Sequence, residues 1–315
     1  MMLFQENKMT AGQLKKKKAK QQRFVRAVIQ LIFFISMPSA FVAGFSGVKY
    51  IFNQIGTGSV LESNSFLLTL IGLCGFTILF GRFFCGYVCA FGSLGDFVYW
   101  ISGLVQTKVL KRKKQYSLPD GTFSIFQKVH PSGTHEWMCF ALFQKVKYLI
   151  LVLIVVLCAL GVYGGLSGIS PWDIFSQLTA GRLNINGYVV GLVLLILIVA
   201  GMAAQERFFC QFLCPMGAVF ALLPVLPVSI LKRDEPNCAR GCSACQKKCP
   251  VHLRLEEDSI RSGECIRCGK CNGVCPRGNI HSFAGQLSGN ELWLVAGKAV
   301  LFFAMGVMLG LCRFF

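Results

Sequence analysis

The chain has 315 residues, 54% of them hydrophobic and 15% charged, and a formal net charge of +18. Soluble globular domains carry about a quarter charged residues, so this composition argues against an ordinary soluble enzyme and points to a lipid bilayer. The surplus of lysine and arginine would suit nucleic acid, but it sits on alternate flanks of apolar runs, the pattern of membrane topology with no nucleic-acid partner.

Residues 1–26 are basic, with Lys15 to Lys18, Lys20, Arg23 and Arg26. The apolar run Val28–Gly47 follows and contains "PSAFVAG", whose small residues resemble a cleavage site. The run is longer than the ~7–15 residues of a signal-peptide core, so an uncleaved anchor is expected. Further apolar runs lie at Phe66–Gly81, Tyr148–Leu166, Tyr188–Ala204 and Leu292–Leu311. Each approaches the ~20 residues with which a helix crosses ~30 Å of hydrocarbon, and about five spans are expected. Between the second and third runs stand Lys108, Lys111, Arg112, Lys113, Lys114, Lys128, Lys145 and Lys147. The opposite loops carry only Lys49, Glu62, Asp173 and Arg182. This asymmetry puts the N-terminus and the 206–291 segment in the cytoplasm.

Two of these runs lead into the same motif. Arg82 to Gly92 reads "RFFCGYVCAFG" and Arg207 to Gly217 reads "RFFCQFLCPMG", an offset of 125 positions. Each copy follows two apolar runs, so the halves read as parallel repeats about an axis along the membrane normal. The apolar tails "SLGDFVYWISGLV" and "AVFALLPVLPVSIL" after each copy are expected as interfacial or re-entrant helices. If the motif is helical, Cys85 and Cys89 share a face, as do Cys210 and Cys214. Together they are a candidate shared thiolate site for a cluster, another soft metal or a pair of dithiols. Arg82 and Arg207 would favour thiolate. The plainer alternative is that the cysteines pack as small apolar groups while the arginines snorkel to the headgroups.

Eight of the 16 cysteines fall between Cys238 and Cys275. "CARGCSACQKKCP" has one extra residue between its first two cysteines, while "CIRCGKCNGVCP" is the bacterial ferredoxin run. In that run the fourth cysteine ligates the other cluster. Cys238, Cys242, Cys245 and Cys275 are therefore expected on one [4Fe–4S] cluster, and Cys265, Cys268, Cys271 and Cys249 on a second. Disulfides are disfavoured in the cytoplasm, and tandem runs of this kind are not a usual zinc spacing. His130, His135, His252 and His281 all lie outside the apolar runs, leaving no pair for a transmembrane haem. No dinucleotide fingerprint follows a predicted strand.

The expected fold is an α-helical polytopic membrane protein of two parallel pseudo-repeats with a small α+β ferredoxin domain. Its divisions are a basic N-terminus (1–26), membrane repeats (27–105 and 148–231) around a basic loop (106–147), a ferredoxin domain (232–285) and a C-terminal span (292–311). "CGYVCAFG", "CQFLCPMG" and the tandem ferredoxin runs, over about Val25 to His281, resemble the NapH/MauN-type membrane ferredoxins. That group is similar in turn to the membrane parts of NosR-like and CcoG-like proteins. The resemblance implies a quinol-linked or flavoprotein-linked electron-transfer component of the cell membrane. Its C-x3-C-P motif maps onto Cys210, Cys214 and Pro215, whereas the first copy has Ala90 in the proline position. "SPWDIF" at 170–175 resembles an outer-loop segment of family members, and the apolar tail after Asn290 departs from those that end near the ferredoxin domain. A competing reading is an assembly factor, CcoG-like, that reduces a metal or a thiol for another enzyme.

Overall fold

A computed structural model describes residues 11–108, 134–164, 169–179, 181, 188–226, 231–233, 238, 242, 244–253, 259–260, 263–275, 277, 279–282 and 291–312. His130 and most of the basic loop lie outside the described residues, as do the side chains of His135, Cys139 and His281.

The first apolar run is not one straight span. Helix α1 (Ala11–Ser36) and helix α2 (Ala40–Thr57) meet at a bend of 62°. Pro38 stands in the break, where it lacks the N–H that would continue the helical ladder. Gly58, at φ 66°, ends α2 by donating its N–H to Ile55 and letting Ser59 reach Gln54. Helix α3 (Ser65–Phe80) starts at Asn64, whose side chain accepts from the Leu67 N–H at 2.9 Å.

Helix α4 (Ala90–Lys108) is the expected tail of the first motif. Helix α5 (Thr134–Ala159) begins inside the stretch 106–147 read as a basic loop. Helix α6 (Pro171–Thr179) buries Trp172, Ile174 and Phe175 of the "SPWDIF" stretch. Helices α7 (Val189–Ala204), α8 (Pro215–Leu222) and α11 (Glu291–Met308) match the fourth run, the second tail and the last run.

Among the described residues, α5 alone is a single helix long and apolar enough to cross a bilayer, through Leu142–Ala159. The bent α1–α2 pair would make a second, while α3, α7 and α11 are apolar but shorter. The expected runs thus lie where apolar helices form, but most fall short of full spans. One cause is local: α3 and α7 stop where the chain turns into the cysteine motifs. Their apolar side chains face outward nonetheless, with Leu149, Val152 and Leu153 of α5, Ile196 and Leu197 of α7, and Ile71 of α3 all exposed. A soluble monomer rarely presents apolar surface this continuous.

The two halves are interleaved. Helix α4 packs along α7 of the other half, and past α8 the Leu226 N–H bonds Ile78 of α3 at 2.9 Å. Rings from both halves close the centre: Phe91 lies 4.8 Å from Phe209 and 4.2 Å from Phe175. On one end sits a three-stranded antiparallel sheet, ordered β2 (Ser259–Ile260), β1 (Leu231–Arg233), β3 (Ile280–Ser282). Short helices α9 (Ala244–Lys247) and α10 (Lys270–Val274) complete this small α+β unit.

Candidate metal centre

Both copies of the repeated motif fold alike, and not as an α-helix. Phe84–Val88 and Phe209–Leu213 are wide π-helical turns. They close with Cys89 N–H to Phe84 O at 2.8 Å and Cys214 N–H to Phe209 O at 2.9 Å. Such turns are rare and cluster at functional sites. The second cysteine of each copy then turns extended, Cys89 at ψ 121° and Cys214 at ψ 108°, and a new helix starts at the next residue. Ala90 therefore does in the first copy what Pro215 does in the second. Cys214 Sγ accepts the Gly217 N–H at 3.1 Å, and Cys89 is bonded by the Gly92 backbone in the same way. That bonding fixes the three-residue step from the cysteine to its N–H donor in each copy.

The glycines have a second role. A Cβ on Gly217 would stand 2.8 Å from Arg82 Nη2 and 3.4 Å from Cys214 Sγ. A Cβ on Gly92 would collide with Arg207 Nη1 and lie 3.0 Å from Cys85 O. Each copy's arginine thus fills the niche left by the other copy's glycine. Both arginines are 1% exposed, so neither snorkels.

This clasp brings the two cysteine pairs together. Cys214 lies within electrostatic reach of Cys210, Cys85 and Cys89, and Cys89 within reach of Cys210 and Cys85. All four are buried. Burial pushes the Cys210 thiol up despite Arg207 beside it, and pushes Cys214 well up. Burial thus outweighs the arginine at Cys210 and disfavours thiolate at Cys214.

The guanidiniums find acids that sequence reading did not single out. Asp96 of α4 accepts from Arg207 Nε at 2.9 Å and Nη2 at 2.6 Å, from Arg26 Nη2 at 2.6 Å, and from Gln30 at 2.7 Å. Burial would raise the Asp96 carboxyl, but Arg207 and Arg26 hold it far below the usual range. Arg207 also donates to the carbonyls of Cys85 and Gly86. Arg82 donates at 3.0 Å to Glu264, which Lys147 and Tyr148 also bind. A lone acid within an apolar helix was the available signal for Asp96. Glu264 had none, since its partners are far away in sequence.

The middle residues of both motifs hold the cysteine-rich unit. Tyr87 donates to Cys268 O at 3.4 Å, and Gly86 is pressed against Ile266 O. Gln211 donates to Pro250 O, beside Cys249, and Gln22 to Gly269 O at 3.1 Å. Lys270 pairs with Glu206, and burial together with Arg26 pushes its ammonium down to about 7.

Within the unit, Cys249 lies in electrostatic reach of Cys268 and Cys265, and Cys271 in reach of Cys268, Cys265 and Cys249. The other expected set is partly traced. Cys275 packs in one cluster with Cys245, and Asn279 contacts Cys275 Sγ at 3.3 Å and Cys238 Sγ at 3.9 Å. Cys242 is half-buried. Among the described residues, no three Cys, His, Asp or Glu side chains converge on a point that one metal ion could fill.

A family model described as a 4Fe-4S binding domain matches residues 65–114 and 188–233. Those stretches contain Cys85, Cys89, Cys210 and Cys214, and none of the cysteines from Cys238 onward. An uncharacterized protein of Methanocaldococcus jannaschii, MJ0749, is 29% identical over 87% of this chain and 89% of its own length. The ferredoxin-type protein NapH of Haemophilus influenzae is 24% identical over 66% of each chain. The methylamine utilization ferredoxin-type protein MauN of Methylobacillus flagellatus is 24% identical over 62% of this chain and 57% of its own. No solved structure matches.

Proposed function

We propose that this relative of the NapH- and MauN-type ferredoxin proteins is a membrane-bound electron-transfer component, working between a quinol or flavoprotein partner and cytoplasmic [4Fe–4S] clusters. The convergence of Cys249 with Cys265, Cys268 and Cys271 is the observation that carries it, because it crosses the two cysteine runs as a two-cluster ferredoxin must. These four would hold one cluster, and Cys238, Cys242, Cys245 and Cys275 the other. Each cluster supplies reversible storage of one electron when bound.

The chain's own residues would seat and insulate that chemistry. Tyr87, Gly86 and Gln211 fix the Cys249 and Cys265–Cys268 loops against the π-helical turns. Arg26 and Lys270 put positive charge beside Cys268 and Asp96. The exposed apolar faces of α5, α7 and α3 favour a bilayer, with the basic N-terminus and the ferredoxin unit on its cytoplasmic side. Cys85, Cys89, Cys210 and Cys214 would form a shared redox site at that edge.

Iron analysis of anaerobically purified full-length protein tests the ligand sets. Cys268→Ala and Cys245→Ala should each lower iron by about four atoms per chain, with membrane insertion unchanged. Iron content unaltered in both variants would overturn the assignment. Topology is checked separately. Reporter fusions at Gln286 and Phe315 should report opposite compartments, and identical signals would remove α11 as a span.

A further inference from the structure

We infer that Cys85, Cys89, Cys210 and Cys214 together bind one additional [4Fe–4S] cluster across the boundary between the two halves, with Arg82 and Arg207 as its counter-charges. This rests on the electron-transfer reading above and names the occupant of its shared site.

Four observations carry it. First, the thiols come two from each half and lie within mutual electrostatic reach, all buried and none in a disulfide. Second, they do not close around one point as ligands of a single zinc or copper ion would. Third, the 4Fe-4S family model matches each half over its C-x3-C pair. Each match holds one C-x3-C pair, with Cys74 of α3 outside the motif, and a cubane takes four thiolates, so one cluster on these pairs needs both halves.

The fourth observation is charge. The ion pairs closest to the site join four cations (Arg26, Arg82, Lys147 and Arg207), each at most 7% exposed, to two carboxylates (Asp96 and Glu264). An excess of positive charge is thus buried at the seam. Beyond its bonds to Gly263 O and Glu264, the buried guanidinium of Arg82 turns to the sulfur of Cys85, with Cys214 also in reach. A buried guanidinium is best offset by an anion facing it. A cluster in the 2+ state with four thiolates carries a net charge of −2. Assembly would deprotonate the four thiols and form four iron–sulfur bonds, the iron and sulfide coming from a cluster donor. Arg82 would then face sulfur that carries negative charge.

The full-length protein, purified without oxygen, is assayed for iron, acid-labile sulfide, copper and zinc, and by EPR at graded potentials. About twelve irons per chain are expected, the sum of three cubanes. Cys89→Ser/Cys214→Ser should leave about eight, with both ferredoxin-type EPR signals intact. Cys245→Ala/Cys268→Ala should retain an extra signal that the first double variant lacks. That second pair keeps the test open if the first variant fails to fold. Arg82→Gln should keep its iron and lower the midpoint potential of the extra signal, because the reduced cluster gains negative charge. A wild-type count of about eight, with both ferredoxin signals at full occupancy, overturns the inference and leaves the electron-transfer reading standing. Stoichiometric copper or zinc with no extra iron also overturns it. Absence of the ferredoxin signals, with the extra signal present, overturns the broader reading instead.

Discussion

Replacing Asp96 with alanine should destabilise the protein by about 3–5 kcal/mol, the cost of leaving a buried cation without its partner. Arg207 is 1% exposed and gives Asp96 two hydrogen bonds, while Arg26 gives a third. Without the carboxylate, Arg207 keeps the carbonyls of Cys85 and Gly86 and the Cys210 sulfur but no acid, and Arg26 loses its ion pair. Asp96→Asn keeps the shape and removes the charge, so it should fall between parent and alanine variant. Thermal unfolding in detergent, together with yield of full-length protein, reads the effect. An alanine variant that melts like the parent would mean that Asp96 is a bystander to the clasp.

Gly86→Ala should separate the ferredoxin unit from the motif without emptying either. The new methyl would strike Ile266 O, a backbone atom with no rotamer to yield. Overpacking of this kind costs about 1–3 kcal/mol, here concentrated on one seam. A coupling loss of that size corresponds to about a 5–150-fold fall in the docked population. The rate of electron exchange with the membrane-side partner should drop accordingly, at unchanged iron content. Gly75→Ala is the control, since its methyl would meet nothing. Equal rates in the two variants would mean that the contact at Ile266 does not matter for transfer.

Much of the chemistry was legible because it is written in local spacing. The ferredoxin runs offer their proposed ligands within a dozen residues, and the duplicated motif declares a shared feature by repetition. Cys249 near Cys265 and Cys268 follows from the ferredoxin pattern itself. What escaped is long-range or conformational. Asp96 looked like one polar residue in an apolar tail, and its bond to Arg207 joins positions 111 apart. Glu264 stands next to Cys265 of the second run, yet its partners Arg82, Lys147 and Tyr148 come from other elements. The π-helical turn escaped because four-residue cysteine spacing is equally compatible with an α-helix. Pro38 could have been read as the break in the first run, but hydrophobicity continues across it and masked the signal.

The exchanged arginines also impose an order on biosynthesis. The chain emerges N-terminus first, at about 5–20 residues per second, so Arg207 follows Arg82 by on the order of ten seconds. During that interval the niche at Gly92 is empty, Asp96 has only Arg26 and Gln30, and Arg82 has neither Gly217 nor Glu264 beside it. The first half is therefore not a finished folding unit when it leaves the ribosome. It must wait, with that cation unpaired, for the half that completes it.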